Sequence, residues 1–241
     1  MKRSFWICAL LWGAVVGQPT LSRGQNTSPV GTWQVTILGS QKGVLMMAFS
    51  NNNNTNTVTG YGISRKQFGF ITLSGSWGFN SKGDVVAAYV QNVGTTSTAY
   101  TFTAKMLPSG QFQAKAISHG SGSYVCKGEQ PTSFPNLSGT WNATLKRKGK
   151  IYSELFAVSA STNYPYAYDV TGTGLSEAGS FTLSGSIIAS AEDKVNAAVA
   201  RTFGTDVQNS SLSGVFKSKH SRMMLSGSDD TGAHLSESAV R

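Results

Sequence analysis

The sequence predicts an all-β fold made of two tandem antiparallel meander β-barrels, and three observations predict it. Glycine is abundant (27 of 241 residues) and charged residues are scarce at 13%. That composition suits short strands and tight turns and is poor for amphipathic helices. Apolar and polar residues alternate with period two in many short segments, the pattern of strands buried on one face. Finally, the chain repeats itself: TLSGS occupies residues 72–76 and again 182–186.

The repeat extends well beyond that phrase. Gly31-Thr32-Trp33 faces Gly139-Thr140-Trp141, Val58-Thr59-Gly60 faces Val170-Thr171-Gly172, and Val85-Val86-Ala87-Ala88 faces Val195-Asn196-Ala197-Ala198. Matches in constant order with nearly constant offset indicate a duplicated module. About seven or eight strands fit into each copy, and an antiparallel meander of that size avoids exposed edges by closing on itself. A β-sandwich per copy is the alternative, and a single outer-membrane barrel of about 14–16 strands is a third arrangement.

Taken in order, the chain opens with Lys2 and Arg3, followed by an apolar run from Phe5 to Val16. This is the layout of a secretory signal peptide over 1–17, too short for a membrane-spanning helix of about 20 residues. Residues 18–29 read as a disordered leader. The mature protein is therefore expected to be exported, to the periplasm, the cell surface or the extracellular space. The first barrel repeat is placed at 30–128, where Trp33-Val35-Ile37, Ile71-Leu73-Trp77, Tyr100-Phe102-Ala104 and Phe112-Ala114-Ala116 alternate. Turn signals fall at Asn51–Asn54, Asn80–Gly83 and Pro108–Gly110. A polar segment at 129–136, punctuated by Pro131 and Pro135, reads as a linker. The second repeat, 137–241, carries Trp141-Ala143-Leu145 and Phe181-Leu183-Ile187 and ends in a polar C-terminal tail. TLSGS is the fourth strand of each copy. Gly75 and Gly185 fall on its apolar face, where a missing side chain lets the sheet coil or a neighbour come close.

Charge and cysteine usage narrow the function. The formal charge of +9 falls to +7 once Lys2 and Arg3 are removed. The densest basic run, Lys146–Lys150, lies where a hairpin turns and has no interleaved aromatics, so no nucleic-acid partner is expected. Cys8 belongs to the signal, which leaves Cys126 as the single mature cysteine. It reads as a half-buried free thiol at a strand end, with pairing to another chain as the alternative.

No residues carry catalysis or hold a cofactor in this reading. His119, His220 and His234 lack ligand spacing, so no metal site is expected. The acids form no facing pair held in both copies: Asp84 is matched by Lys194. Asp229-Asp230-Thr231-Gly232 lacks the alternating ligands of a calcium loop and reads as a turn. The expected function is that of a non-enzymatic exported barrel taking a small apolar or amphipathic ligand, with Trp77, Tyr89 and Phe102 as candidates to line its cavity. The alternative is a structural or adhesive protein of the cell envelope with a cell-surface partner.

Gly31-Thr32-Trp33 and Gly139-Thr140-Trp141 together resemble the opening strands of lipocalin and avidin-type barrels, the calycin group. The resemblance implies that Trp33 and Trp141 plug the barrel bottoms and that a basic side chain from the last strands lies across each ring. Arg222 would serve in the second copy, and Lys115 or Lys127 in the first. The chain departs from lipocalins in lacking a helix after the barrel. It also has too few tryptophans for a biotin pocket, so biotin binding is not carried over.

Overall fold

The computed structural model describes residues 28–39, 43–120, 122–191, 193–217, 219 and 221–241. The expected signal peptide, residues 18–27 of the expected leader, and His220 lie outside them. Eight strands form the first unit: β1 (Gly31–Leu38), β2 (Gly43–Asn52), β3 (Thr55–Ser64), β4 (Gly69–Phe79), β5 (Val85–Val93), β6 (Thr96–Met106), β7 (Phe112–Ser118) and β8 (Gly122–Glu129). Eight more form the second: β9 (Gly139–Arg147), β10 (Lys150–Ala160), β11 (Ala167–Ser176), β12 (Gly179–Ala189), β13 (Lys194–Phe203), β14 (Asp206–Lys217), β15 (Arg222–Asp229) and β16 (His234–Val240).

Each strand pairs antiparallel with the next, and the last pairs with the first, β8 with β1 and β16 with β9. The result is two closed barrels in tandem, neither a sandwich nor one large barrel. TLSGS lies in β4 and β12, the fourth strand of each. Alternation does the sorting: Phe112, Ala114 and Ala116 are buried while Gln113, Lys115 and Ile117 are exposed. Turns are made by residues that tolerate left-handed backbone. Asn53 and Asn54 (φ 48° and 63°) join β2 to β3, and Lys148 and Gly149 (φ 48° and 78°) join β9 to β10, the geometry of tight hairpins. The basic run is thus a hairpin tip.

Gly75 and Gly185 occupy inward positions where the neighbouring strand comes too close for a side chain. A Cβ at Gly75 would strike the Ala88 carbonyl oxygen and Tyr89 Cα, and one at Gly185 the Ala198 carbonyl oxygen and Val199 Cα. Gly185→Ala is expected to cost about 1–3 kcal/mol as the sheet is forced apart. Chemical unfolding should show it as a lower midpoint at unchanged slope.

The polar C-terminus is not a tail. His234–Val240 is the closing strand, because Leu235, Glu237 and Ala239 all face inward. The barrels also pack on each other through residues that point outward from their own cores. Val44, Met46, Tyr61 and Ile63 of the first meet Ala167, Ile188 and Ala198 of the second, with Phe70, Phe134 and Tyr164 around them. A direct hydrogen bond crosses this contact, from the Ala191 amide to Gln34 Oε1 at 2.7 Å.

Candidate functional site

The first barrel's interior is built of aromatic rings. Trp33 donates its indole N–H to the Pro29 carbonyl at 2.7 Å and packs on Phe112 at 5.0 Å. Trp77 donates to the Ser50 carbonyl at 3.0 Å and meets Phe49 edge-on. Phe102 lies between Phe49 and Phe112. Tyr89 stacks on Tyr100 at 5.5 Å and shares a 2.6 Å hydrogen bond with the Tyr124 hydroxyl. Trp77, Tyr89 and Phe102 are thus brought into one interior, and other side chains occupy the space between them. Burial pushes the Tyr89 and Tyr124 hydroxyls well above the usual phenol range. Cys126 is deeply buried, with its thiol against the Ala114 carbonyl and its pKa pushed up to about 12 by burial. A thiol so placed is inert and out of reach of another chain.

At the base of the second barrel, Trp141 donates to the Leu137 carbonyl at 2.9 Å. The basic side chain over its ring is Arg241, at 5.4 Å from the ring centre. Arg222, expected there, instead bonds Ser238 Oγ on the outer face at 2.9 Å. The reason is parity: Met223 points inward, so its neighbour Arg222 points out. Arg241 follows the closing strand and lands beside Gly139, where any Cβ would collide with the Arg241 side chain. In the first barrel Gln130 occupies the space beside Gly31, while Lys115 and Lys127 are exposed on the outer wall.

The second interior holds an ion cluster that the sequence reading did not single out. Arg201 donates to Glu154 through Nε and Nη2 at 2.6 and 3.2 Å, to Glu237 through Nη2 at 2.8 Å, and to Ser210 Oγ at 2.7 Å. All four residues are buried. The signal was present in the alternation, since Glu154 falls at an inward position between Tyr152 and Phe156, and Glu237 between Leu235 and Ala239. Beside the cluster lies a cavity of about 10 Å³, room for roughly one water molecule. Near the Lys148–Gly149 turn, Arg147 pairs with Asp229 at 2.5 Å. Asp229 also accepts from the Thr231 and Ala233 amides, which fixes the β15–β16 turn.

One cation between two carboxylates leaves a charge imbalance. Burial first, then the Glu154 charge, pushes the Glu237 carboxyl up to about 7 despite the opposing pull of Arg201. Folding therefore favours the protonated form. The resulting stability is fully present below the ordinary glutamic acid value and is lost as pH rises through about 7. The second barrel is expected to gain on the order of 2 kcal/mol between about pH 8 and about pH 5. Glu237→Gln should flatten that dependence, read from denaturant midpoints at the two pH values.

Open space of useful size lies between the barrels. A groove of about 500 Å³ runs along the outer wall of β1–β5. Thr32, Thr59, Thr72 and Ser74 stand on its floor, with Met46 and Tyr61 to one side. Asn163, Tyr164 and Pro165, from the β10–β11 loop of the second barrel, form its roof. Tyr164 packs 5.0 Å from Tyr61 and 5.1 Å from Phe70. A second groove of about 450 Å³ lies further along β1, past Gln34, with Arg65 and Lys194 on its walls.

No family model matches the chain, and no curated protein matches its sequence. Solved structures similar to it include a redesigned β-barrel, mFAP1, bound to DFHBI, at 18% identity and TM-score 0.39, over 44% of this chain and 94% of that one. A candidate outer membrane protein from Bacteroides fragilis is similar at 11% identity and TM-score 0.29, over 89% of this chain and 97% of that one. A DUF3598-family protein of unknown function from Nostoc punctiforme follows at 9% identity and TM-score 0.25, over 88% and 96%.

Proposed function

We propose that the chain is an exported, non-enzymatic barrel protein that carries a small amphipathic ligand in the groove between its barrels. The observation that carries this is the groove itself: about 500 Å³, within the range of small-molecule sites. Its lining mixes apolar Met46, Tyr61 and Tyr164 with hydroxyl-bearing Thr59, Thr72 and Ser74. The barrel interiors offer less, since Trp77, Tyr89 and Phe102 already contact other rings. The absence of catalysis is supported by the fate of the buried acids, which are tied to Arg201 beside a cavity the size of a single water. Export is supported by the signal-like N-terminus.

A different observation favours an adhesive role in the cell envelope. Ile151, Leu155 and Leu175 stand exposed on the adjoining strands β10 and β11. A defined multimer in solution would favour that reading, and a monomer would count against it.

Native mass spectrometry of the mature protein from its own host tests the carrier reading. The expected result is extra non-covalent mass that disappears on denaturation and is absent from Thr59→Trp, which fills the groove. A bare protein, or extra mass that Thr59→Trp leaves in place, would overturn it. N-terminal sequencing of the same sample should start near residue 18, or near residue 24.

A further inference from the structure

We infer that the inter-barrel groove takes an uncharged, ring-shaped polyhydroxylated ligand, a neutral sugar, with Tyr164 under its apolar face; this rests on the carrier reading above. The first argument is charge. Among the described residues no Asp, Glu, Lys, Arg or His lines the groove, so a phosphate, a carboxylate or an ammonium group would enter without a partner there, which is unfavourable. A wholly apolar ligand fits no better, because it would strip water from hydroxyls and amides that it could not bond.

The second argument is the layout of the polar groups. Thr32, Ala48, Thr59 and Ser74 lie in one row across four neighbouring strands, each paired directly with the next. Met46, Tyr61, Thr72 and Asn92 form the adjoining row. Neighbouring strands lie roughly 4.8 Å apart, so the Thr59 and Ser74 hydroxyls stand at about the separation of alternate equatorial hydroxyls on a six-membered sugar ring. Each hydroxyl can both donate and accept, as a sugar hydroxyl does.

The third argument is Tyr61. It lines the groove, is 7% exposed, and its hydroxyl is buried with no hydrogen-bond partner among the described residues. Buried polar groups are rarely left so; the hydroxyl has no open surface, so a ligand hydroxyl completes it once the Tyr61 side chain turns toward the groove. Tyr164 supplies the apolar side. It is half-buried, packs on Tyr61 and Phe70, and comes from the other barrel. A sugar's carbon-bound hydrogens suit an aromatic face, which carries partial negative charge.

Saturation-transfer NMR on the mature two-barrel protein tests this. The probes are neutral mono- to trisaccharides (glucose, maltotriose, cellotriose, xylotriose), with glucuronate and 1-naphthol as comparators. A neutral saccharide is expected to bind, and its affinity to fall at least tenfold in both Tyr164→Ala and Thr59→Glu. Thr59 is exposed, so Thr59→Glu leaves the packing intact should Tyr164→Ala loosen the barrel contact. Naphthol binding that Thr59→Trp abolishes, with no saccharide binding, would overturn the sugar assignment and leave the carrier reading standing. Glucuronate binding as well as or better than glucose would overturn the neutral class. Saccharide binding unchanged in Thr59→Glu would overturn the site. No binding by any probe would overturn both readings.

Discussion

Arg201→Gln is expected to destabilise the second barrel by about 3–5 kcal/mol, the cost of leaving buried carboxylates without their cation. Glu154 and Glu237 both direct oxygens at that guanidinium from within the core. A glutamine can bond one of them but neutralises neither. The first barrel shows what a repaired version looks like. Arg201 pairs with Leu183 across β12–β13 as Gln91 pairs with Leu73 across β4–β5. By the same comparison of registers, Glu154 corresponds to Leu45 and Glu237 to Cys126. The triple replacement Glu154→Leu, Arg201→Gln, Glu237→Cys should therefore recover the loss, because no buried carboxylate is then left without its cation. Denaturant titration of the parent, the single variant and the triple variant checks both halves. A triple variant as weak as the single one would mean that the cluster, rather than its imbalance, holds the barrel together.

Trp141→Ala is expected to cost about 3–5 kcal/mol. The ring is fully buried at the base of the second barrel, anchored by the Leu137 carbonyl below, covered by Arg241 and edged by Phe216 at 6.1 Å. Removing it deletes apolar contact and opens a cavity that a closed barrel cannot collapse to fill. Arg241→Ala, which keeps the ring, should cost far less, about 0.5–1 kcal/mol for an exposed cation over an aromatic face. Thermal unfolding of the two variants separates the plug from its cover.

Much of the architecture was legible because it rests on local rules. Period two gives strands, a repeat gives two modules, and Gly-x-Trp marks where each begins. The closing strand β16 was harder, because its outward residues include His234, Ser236 and Ser238 and its inward set includes Glu237, an acid that a polarity count assigns to solvent. The ion cluster was hidden for a related reason. A search for acids held in both copies passes over Glu154, whose counterpart is Leu45. Type and place in the chain point to Arg222, while parity on the strand selects Arg241. The groove could not be read at all from either module. Thr59 and Tyr164 belong to different copies and meet only because outward residues such as Met46 and Ile188 are apolar enough to bring the barrels together.

The indole of each plug hangs from a carbonyl four residues upstream, Pro29 for Trp33 and Leu137 for Trp141. Each barrel therefore carries its stopper on a short tether that precedes its first strand. Cleavage near residue 17 or residue 24 would leave the first tether whole, but a protease that advanced to Gly31 would cut the cord on Trp33. The second barrel is protected differently, since its tether is the very segment that joins the modules. Severing the joint on the barrel side of Leu137 would break the covalent link between the modules and uncork the second in one stroke, so the joint can be cut without loosening Trp141 only upstream of Leu137.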